Sequence, residues 1–487
     1  MESVPWHAAI VPTDGFFEVE QHWSAVLGTP AARLRPLTWG DQPFAQANGR
    51  DNIYFFDVTA GDGLIDLLAN LRRLLERIES DLRQRGEREK VATWRVAMPV
   101  LGIGMGGHRT SSGKVVEGLL TTSRDFTAES RDCDVVIVCA RRSAYAAFQT
   151  RRRDEVGAWP SDLNLAAAHR LGALAQEGAL ALLLGAGVSI PAGLPSWGEL
   201  IEGVRQDFVG ANDVSFDDFG ALGILDQAEL LQRSLGPRLS KAVADRISKM
   251  EKPALSHVML ATLGCREVIT TNYDHGFEKA VDAQAQRGIS RLPWDVPEAG
   301  RPWILKLHGD VAKPETIVLT RGQFVQYDAD WRPAGSLFQS VLLTKHLLVV
   351  GVSFTDDNIL RLTHEAKRFR KLSGVKGPFG TVLSMRPEPL RQLLWEDELT
   401  WIGVGGAMPL EQARNIEIFL DALGAFAWSD ASYLLDPDFR DMLTEPQRAM
   451  ASELEGLARR MQEFGEDHGG SWQQLVESIR SFGARTN

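Results

Sequence analysis

The segment Leu180-Ala-Leu-Leu-Leu-Gly-Ala-Gly-Val-Ser-Ile-Pro-Ala-Gly-Leu-Pro-Ser-Trp197 decides the fold of this chain. It opens with an unbroken apolar run, typical of a strand buried in a parallel sheet. Gly185 permits a tight turn, and Gly187 allows backbone amides to approach a diphosphate. Ser196 and Glu199 have the spacing of a capping box, so we expect a helix to begin there. The pattern Gly-x-Gly after a strand is equally common in ordinary turns. Other segments of the chain are therefore needed to distinguish a phosphate-binding loop from a plain turn.

Three further polar segments follow apolar runs, at 270–274 (Thr-Thr-Asn-Tyr-Asp), 306–310 (Lys-Leu-His-Gly-Asp) and 351–356 (Gly-Val-Ser-Phe-Thr-Asp). Helical stretches separate the runs, which favours a parallel sheet with helices on both faces. Ligands bind at the carboxyl ends of strands in such sheets. The strands we expect are 180–185, 267–271, 303–308, 315–319, 347–352 and 380–384.

These four strand ends, in this order, resemble the sirtuin-like NAD-binding fold, and most closely the NAD-cleaving domains of bacterial antiphage defence proteins of the Thoeris-effector type. The resemblance covers roughly residues 165–425. The stretch Gly193-Leu-Pro-Ser-Trp197 follows the defence pattern and lacks the arginine of the deacylases' Gly-Ile-Pro-Asp-Phe-Arg. Residues 309–350, where deacylases place a four-cysteine zinc module, contain no cysteine. The resemblance therefore implies cleavage of NAD+ itself, without a metal.

By this resemblance, Asn272 and His308 are the catalytic pair. Cleaving the nicotinamide–ribose bond passes through an oxocarbenium-like state. A histidine of ordinary pKa is largely neutral at working pH and suits a general base, while an amide both donates and accepts hydrogen bonds to ribose and water. Asp274 either binds NAD+ or caps the next helix. The residues we expect to bind NAD+ are Gly185, Ala186, Gly187, Ser189, Gly193, Asp274, Gly351 and Ser353.

The N-terminal part, residues 1–155, is predicted to be a second α/β domain. We expect residues 1 to about 40 to be irregular, strands at 52–58, 94–103 and 134–140, and a helix at 64–85. The glycine-rich stretch after the second strand resembles the second half of a macrodomain, which would bind a nucleotide or an ADP-ribose-like regulatory ligand. A related nucleotide-sensing domain and a plain packing turn are the alternatives. The candidate ligand residues are Gly104, Gly106, Gly107, Arg109 and Lys114.

Composition narrows the classes of protein further. With 53 Lys plus Arg and 64 Asp plus Glu, the net charge is −11, which disfavours broad binding to nucleic acid or anionic membrane. Three cysteines are too few for a disulfide framework or a four-cysteine zinc site. We see no signal peptide and no membrane span, so we expect a cytoplasmic protein.

We therefore expect an α/β chain with three parts: a macro-like or nucleotide-sensing domain at 1–155, a sirtuin-like Rossmann-type parallel sheet with a helical insertion at 160–425, and a helical segment at 426–487. The expected activity is an NAD+ glycohydrolase that yields nicotinamide and ADP-ribose, or a cyclic product, in antiphage defence. The alternatives are a zinc-independent deacylase and a non-catalytic nucleotide-binding scaffold. A homo-oligomer and an activating protein partner are further expectations.

Overall fold

The computed structural model describes residues 1–86, 91–104, 107–130, 132–209, 219–285, 288–354, 356–468 and 471–484. The chain forms two compact units. One comprises Met1–Asp162 together with Trp428–Asn487, and the other comprises Leu163–Ala427. The second unit is thus inserted, in sequence, between two parts of the first. Within the described residues, no helix combines the length and apolar character that crossing a bilayer requires.

The first unit is built on a five-stranded sheet of order β2-β3-β1-β4-β5, in which only β2 runs antiparallel. Its strands are Ala8–Thr13 (β1), Phe44–Gln46 (β2), Ile53–Asp57 (β3), Trp94–Pro99 (β4) and Cys133–Val138 (β5). The helices before the second unit are Ser24–Leu27 (α1), Leu64–Arg85 (α2), Ser112–Ser130 (α3) and Arg142–Asp154 (α4).

The prediction that residues 1 to about 40 are irregular is wrong for β1. This strand lies at the centre of the sheet, with β3 on one side and β4 on the other. Ala8 to Val11 are completely buried. Their apolar run is only four residues long and is followed by Pro12, which hid the strand among the surrounding Trp and Pro residues.

The second unit contains a seven-stranded sheet of order β12-β11-β10-β6-β7-β9-β8, and every neighbouring pair is parallel. The chain runs from β6 outward to one edge and then returns to β10 on the other side of β6. The strand order therefore reverses between β6 and β10, which is where open α/β sheets form their ligand crevice. The strands are Leu180–Leu184 (β6), Glu267–Thr270 (β7), Ser290–Leu292 (β8), Trp303–Lys306 (β9), His346–Val350 (β10), Gly380–Ser384 (β11) and Leu399–Gly403 (β12).

Helices surround this sheet and supply the predicted insertion between β6 and β7. A cluster of apolar side chains on the insertion helices, among them Leu200, Ile201 and Val204, forms its core. The helices are Leu165–Gln176 (α5), Trp197–Val209 (α6), Ile224–Leu235 (α7), Arg238–Ile247 (α8), Leu255–Thr262 (α9), Gly276–Ala285 (α10), Arg321–Asp330 (α11), Arg332–Thr344 (α12), Asp357–Leu372 (α13), Pro389–Leu394 (α14) and Pro409–Ala427 (α15).

One predicted strand of this unit is wrong, and two strands were missed. Residues 315–319 form the end of a short helical turn and an extended segment that joins no sheet. Ile317, Val318 and Leu319 are nevertheless buried, because they pack into two apolar cores. These residues are apolar because they are buried, although they pair with no strand. The strands β8 and β12, at the two edges of the sheet, were not predicted.

The C-terminal residues complete the first unit rather than extending the second. After a short helical turn at Pro437–Met442 come the helices Glu445–His468 (α16) and Ser471–Ser481 (α17). Phe439 is fully buried in the apolar core beneath the five-stranded sheet. Asp441 accepts hydrogen bonds from the amides of Gly113 and Lys114, at 2.9 Å each, and so satisfies the first turn of α3.

Candidate functional site

Four neighbouring strands of the second sheet end in register at one edge. The residues paired across these strands are Val350, Leu184, Thr270 and Lys306. Gly351 and Gly185 come one residue later, while Asn272 and His308 come two residues later. All four predicted strand ends are thus brought to the same carboxyl edge of the sheet, as expected for parallel strands.

The glycines at the point of strand reversal let two loops pack directly against each other. Gly185 donates its amide to Val350 O and Gly187 donates its amide to Gly351 O, both at 3.0 Å. A Cβ atom on Gly185 would lie 2.4 Å from Gly351 O, and one on Gly351 would lie 2.6 Å from the Val188 nitrogen. We expected these glycines to make room for a diphosphate. In the structure these glycines also allow the close contact between the loops after β6 and β10.

The side-chain orientation of Asn272 follows from its partners. Its Nδ2 donates to Gly185 O and to Ser189 Oγ, both at 3.0 Å. A backbone carbonyl only accepts, so the amide nitrogen must be the atom that faces Gly185. Both Nδ2 hydrogens are therefore used, and Oδ1 remains as an acceptor for a hydroxyl group or a water molecule. The hydrogen bonds to Gly185 and Ser189 hold the half-buried side chain of Asn272, so this acceptor has a fixed position.

Ser189 is 2% exposed and lies at the centre of a hydrogen-bond network. Its Oγ donates to Asp274 Oδ2 at 2.8 Å, accepts from Asn272 and lies 3.2 Å from His257 Nε2. The other oxygen of Asp274 accepts from the Gly276 amide at 2.7 Å, near the start of α10. Asp274 therefore both caps this helix and anchors Ser189. A contact between Ser189 and NAD+, as predicted, would have to replace one of these three contacts.

His308 is 2% exposed and lies beside an aromatic wall. Its ring contacts the edges of Phe324 and Tyr327 of α11, with centroids 5.2 and 6.1 Å away. Burial lowers the pKa of the imidazole, and the nearby Asp356 opposes that shift only in part. His308 Nε2 lies 3.3 Å from Asp356 Oδ2. Among the described residues, Nε2 makes no hydrogen bond of good geometry, so this neutral nitrogen is suited to exchange a proton with a ligand.

A buried ionic cluster lies behind the site. Lys306 is fully buried and donates to the Asp274 carbonyl at 2.5 Å and to Glu278 Oε1 at 3.0 Å. Asp310 Oδ2 is 3.7 Å from the same ammonium, and Oδ1 is 2.7 Å from His275 Nε2. Burial raises the pKa of Asp310, but His275 and Lys306 outweigh that effect and hold it below its ordinary value.

Ligand atoms of His275, Glu278 and Asp310 lie within 4.8 Å of one another, a spacing that could hold a metal ion. Lys306 already contributes a positive charge to both carboxylates, so a divalent cation would be repelled. We assign this cluster to charge balance around Lys306. A deacylase-type zinc module has no ligands here either, since Cys265 is the single cysteine in the sequence of the second unit.

The remaining predicted residues lie in the loops after β6 and β10 or in the first unit. Ala186, Gly187 and Gly193 are exposed, and Gly193 ends a short helical turn with φ of +85°. Ser353 is exposed, and its carbonyl accepts from Arg391. In the first unit, Gly104, Gly107 and Lys114 are exposed, whereas Gly106 and the side chain of Arg109 lie outside the described residues.

His257 was not predicted to be a functional residue. Its ring is 1% exposed, and Nδ1 accepts from the Ala254 amide at 3.1 Å. This residue has no metal-type spacing and no glycine-rich neighbour, so no local pattern singled it out. The one available signal was a histidine three residues into a helix, where a side chain can reach back to the helix start.

Parts of this chain are similar to known proteins. Residues 266–402, which include Asn272 and His308, match the SIR2-like domain family. The chain is similar to the NAD(+) hydrolase ThsA of Acinetobacter baumannii, with 28% identity over 188 residues (38% of each chain), and to that of Bacillus cereus, with 29% over 185 residues (37% of this chain and 38% of the relative). It is also 23% identical to Defense-associated sirtuin 2 of Bacillus subtilis over 205 residues, 40% of this chain and 20% of the relative.

The chain thus spans about two fifths, or less, of the length of the curated relatives it matches. The parallel sheet and the family match confirm the predicted sirtuin-like α/β domain in the second unit. The macro-like character of the first unit stays a prediction.

Proposed function

We propose that this protein is an NAD+ glycohydrolase that cleaves the nicotinamide–ribose bond. The observation that carries the proposal is the placement of Asn272 and His308 just after the ends of adjacent strands, where one offers a fixed amide acceptor and the other a buried neutral imidazole. The names of the relatives, NAD(+) hydrolase and defence-associated sirtuin, support the same reaction. The proposed reaction has three steps: NAD+ binds, nicotinamide departs, and a nucleophile captures the ribosyl cation.

In this mechanism the Asn272 Oδ1 accepts a hydrogen bond from a ribose hydroxyl or from the attacking water. His308 takes up the proton that the nucleophile releases, since its depressed pKa keeps it unprotonated at neutral pH. The loops after β6 and β10 provide the surface for the diphosphate and adenosine. Water gives ADP-ribose, whereas attack by a group of the nucleotide itself gives a cyclic product.

The test is to incubate the full-length protein with NAD+ and to separate nicotinamide, ADP-ribose and cyclic products by chromatography. Asn272→Ala and His308→Ala should each lower the rate by about 100-fold or more, as expected for loss of a general base or its positioning partner. His346→Leu, at the opposite end of its strand, serves as a folding-matched control and should keep activity. Wild-type activity in either alanine variant would contradict the assignment of the site.

Two additions to the assay separate the alternatives. A deacylase would release nicotinamide only when an acetyl-lysine peptide is present. A non-catalytic scaffold would show NAD+ binding by calorimetry without turnover, even with extract from phage-infected cells as a source of activator. The absence of zinc-binding cysteines in the second unit favours the hydrolase over a zinc-dependent deacylase.

We also propose that the activity serves antiphage defence by depleting NAD+, and that the first unit senses a nucleotide or an ADP-ribose-like signal. The relatives' names support the former, and the glycine-rich stretch of sequence between β4 and α3 supports the latter. A homo-oligomer and an activating protein partner belong to the same proposal. Comparing residues 163–427 with the full chain tests it, because equal activity and equal regulation would remove the sensing role.

A further inference from the structure

We infer that His257 is a positioning residue for the proposed reaction. It donates a hydrogen bond to Ser189, which sets the direction of the Ser189 hydroxyl and thereby holds the amide of Asn272. This inference rests on the proposed function and extends it to a side chain on α9, in the insertion between β6 and β7. His257 lies behind the site, and it acts through another residue.

The direction of each hydrogen bond in this network follows from the contact between Ala254 and His257. The Ala254 amide can only donate, so His257 Nδ1, at 3.1 Å, must be the unprotonated ring nitrogen. A neutral imidazole then carries its hydrogen on Nε2. Because Nε2 lies 3.2 Å from Ser189 Oγ, the ring donates and the hydroxyl oxygen accepts.

This contact leaves Ser189 a single arrangement. Its oxygen accepts from His257 and from Asn272, which fills both lone pairs, and its one hydrogen points to Asp274 at 2.8 Å. Without the imidazole donor, one lone pair of the buried hydroxyl would be empty. The Ser189 hydroxyl could then turn, and Asn272 would keep the Gly185 carbonyl as its single fixed partner.

Packing keeps the imidazole in place and neutral. A Cβ atom on Gly276 would lie 2.5 Å from His257 Cε1 and 2.8 Å from Nε2, so the helix start of α10 closes over the ring. Burial lowers the pKa of His257 to about 4, against the opposing effect of Asp274. The ring therefore stays neutral across the physiological pH range, and the Ala254 amide selects its tautomer.

The first experiment measures kinetics of the full-length protein. His257→Leu fills a similar volume without hydrogen bonds, and we expect kcat to fall on the order of 10-fold to 100-fold with KM little changed, as for a displaced reacting group. His257→Gln places an amide donor near the position of Nε2 and should recover most of kcat. His346→Leu removes another imidazole, partly buried and hydrogen-bonded to Thr381 at 2.8 Å, and should leave kcat unchanged.

The second experiment uses NMR with ¹⁵N-labelled histidine and asparagine, and it does not depend on catalysis. We expect a protonated Nε2 and an unprotonated Nδ1 for His257 at neutral pH. The side-chain amide resonances of Asn272 should shift in His257→Leu and stay in place in His346→Leu.

The two experiments separate two kinds of failure. If the wild type cleaves no NAD+ even with extract from phage-infected cells, the proposed function fails, while the NMR result still decides whether His257 positions Asn272. Unmoved Asn272 resonances in His257→Leu, or wild-type kcat in that variant, would overturn the inference. If His257→Leu does not fold, the tautomer of the wild type and the kinetics of His257→Gln decide it.

Discussion

At the scale of single residues, Gly351 shows how closely the two loops of the site approach each other. Its φ is +72°, and an added Cβ would lie 2.6 Å from the Val188 nitrogen. We expect Gly351→Ala to lower the free energy of unfolding by about 2–5 kcal/mol, from backbone strain together with steric overlap. Urea unfolding of the full chain measures the loss.

Gly193→Ala is the matched control for this prediction. Gly193 also has a positive φ, +85°, but an added Cβ would meet nothing within 4 Å. It should therefore lose only the conformational part, about 1 kcal/mol. Equal losses in the two variants would show that the loop contact is not tight.

Burial lowers the pKa of His346 to about 4 from an ordinary 6.5. As the pH falls from 6.5 towards 4, the unfolded chain takes up a proton on this residue and the folded chain does not. Stability therefore decreases through that window, by up to about 1.4 kcal/mol per pH unit. His346→Leu should show a shallower decline in the free energy of unfolding, measured by urea at several pH values. An unchanged slope would contradict the lowered pKa.

The candidate site could be predicted from the sequence where it depends on strand ends. Asn272 and His308 each follow an apolar run directly, so a parallel sheet had to bring them to one edge. His257 depends on a contact across 68 residues with Ser189, and no local pattern encodes such a contact. Likewise, the glycine-rich turn indicated close approach but not whether a ligand or another loop would occupy the space.

At the scale of elements, helix α11 supports His308, the histidine that we propose to be catalytic. Thr320 accepts from the Gln323 amide at 3.4 Å, and Gln323 Oε1 accepts from the Thr320 amide at 2.9 Å, which forms a capping box. Phe324 and Tyr327, which contact His308, lie in the first two turns that this cap holds. Stability of the helix start is therefore coupled to the site.

We expect Thr320→Ala to cost about 1 kcal/mol of stability and to reduce kcat, because the aromatic wall beside His308 loosens. Thr320→Ser keeps the cap and should keep activity. Asn164 caps α5 by accepting from the Ala167 amide at 3.1 Å, so Asn164→Ala should cost a similar amount of stability without affecting kcat. Thermal melts and NAD+ kinetics measure both. Equal effects of Thr320→Ala and Asn164→Ala on kcat would refute the coupling.

Long elements with a regular apolar pattern were predicted correctly, whereas short elements of mixed composition were missed. The 22-residue helix α2 has a clear apolar stripe, and its predicted bounds, 64–85, are those observed. The short strands β8 and β12 lie at sheet edges, where mixed composition is tolerated. Residues 315–319 misled the prediction because burial in two apolar cores selects the same apolar residues as a buried strand does.

At the scale of the whole molecule, the first unit needs both ends of the chain. Ser143 donates to Asp436 at 2.7 Å, and Arg141 pairs with Asp438 at 2.7 Å. We expect Phe439→Ala to destabilise the first unit by about 3–5 kcal/mol, since it empties a fully buried position. Residues 163–427 alone should remain folded, whereas residues 1–162 alone should not unfold cooperatively. Circular dichroism melts of the fragments check both expectations, and a cooperative melt of residues 1–162 would contradict the second.

The discontinuous first unit also sets an order of events during synthesis. Its sheet strands are translated by residue 138, yet the core residue Phe439 comes 439 − 138 = 301 residues later. At about 5–20 residues per second, the ribosome takes about 15–60 seconds to cover that distance. The nascent N-terminal strands must wait through this interval with an unfinished core, while the inserted unit emerges whole and can fold. Ribosome-associated chaperones therefore have their longest opportunity to bind on residues 1–162, and the inserted unit should become protease-resistant first.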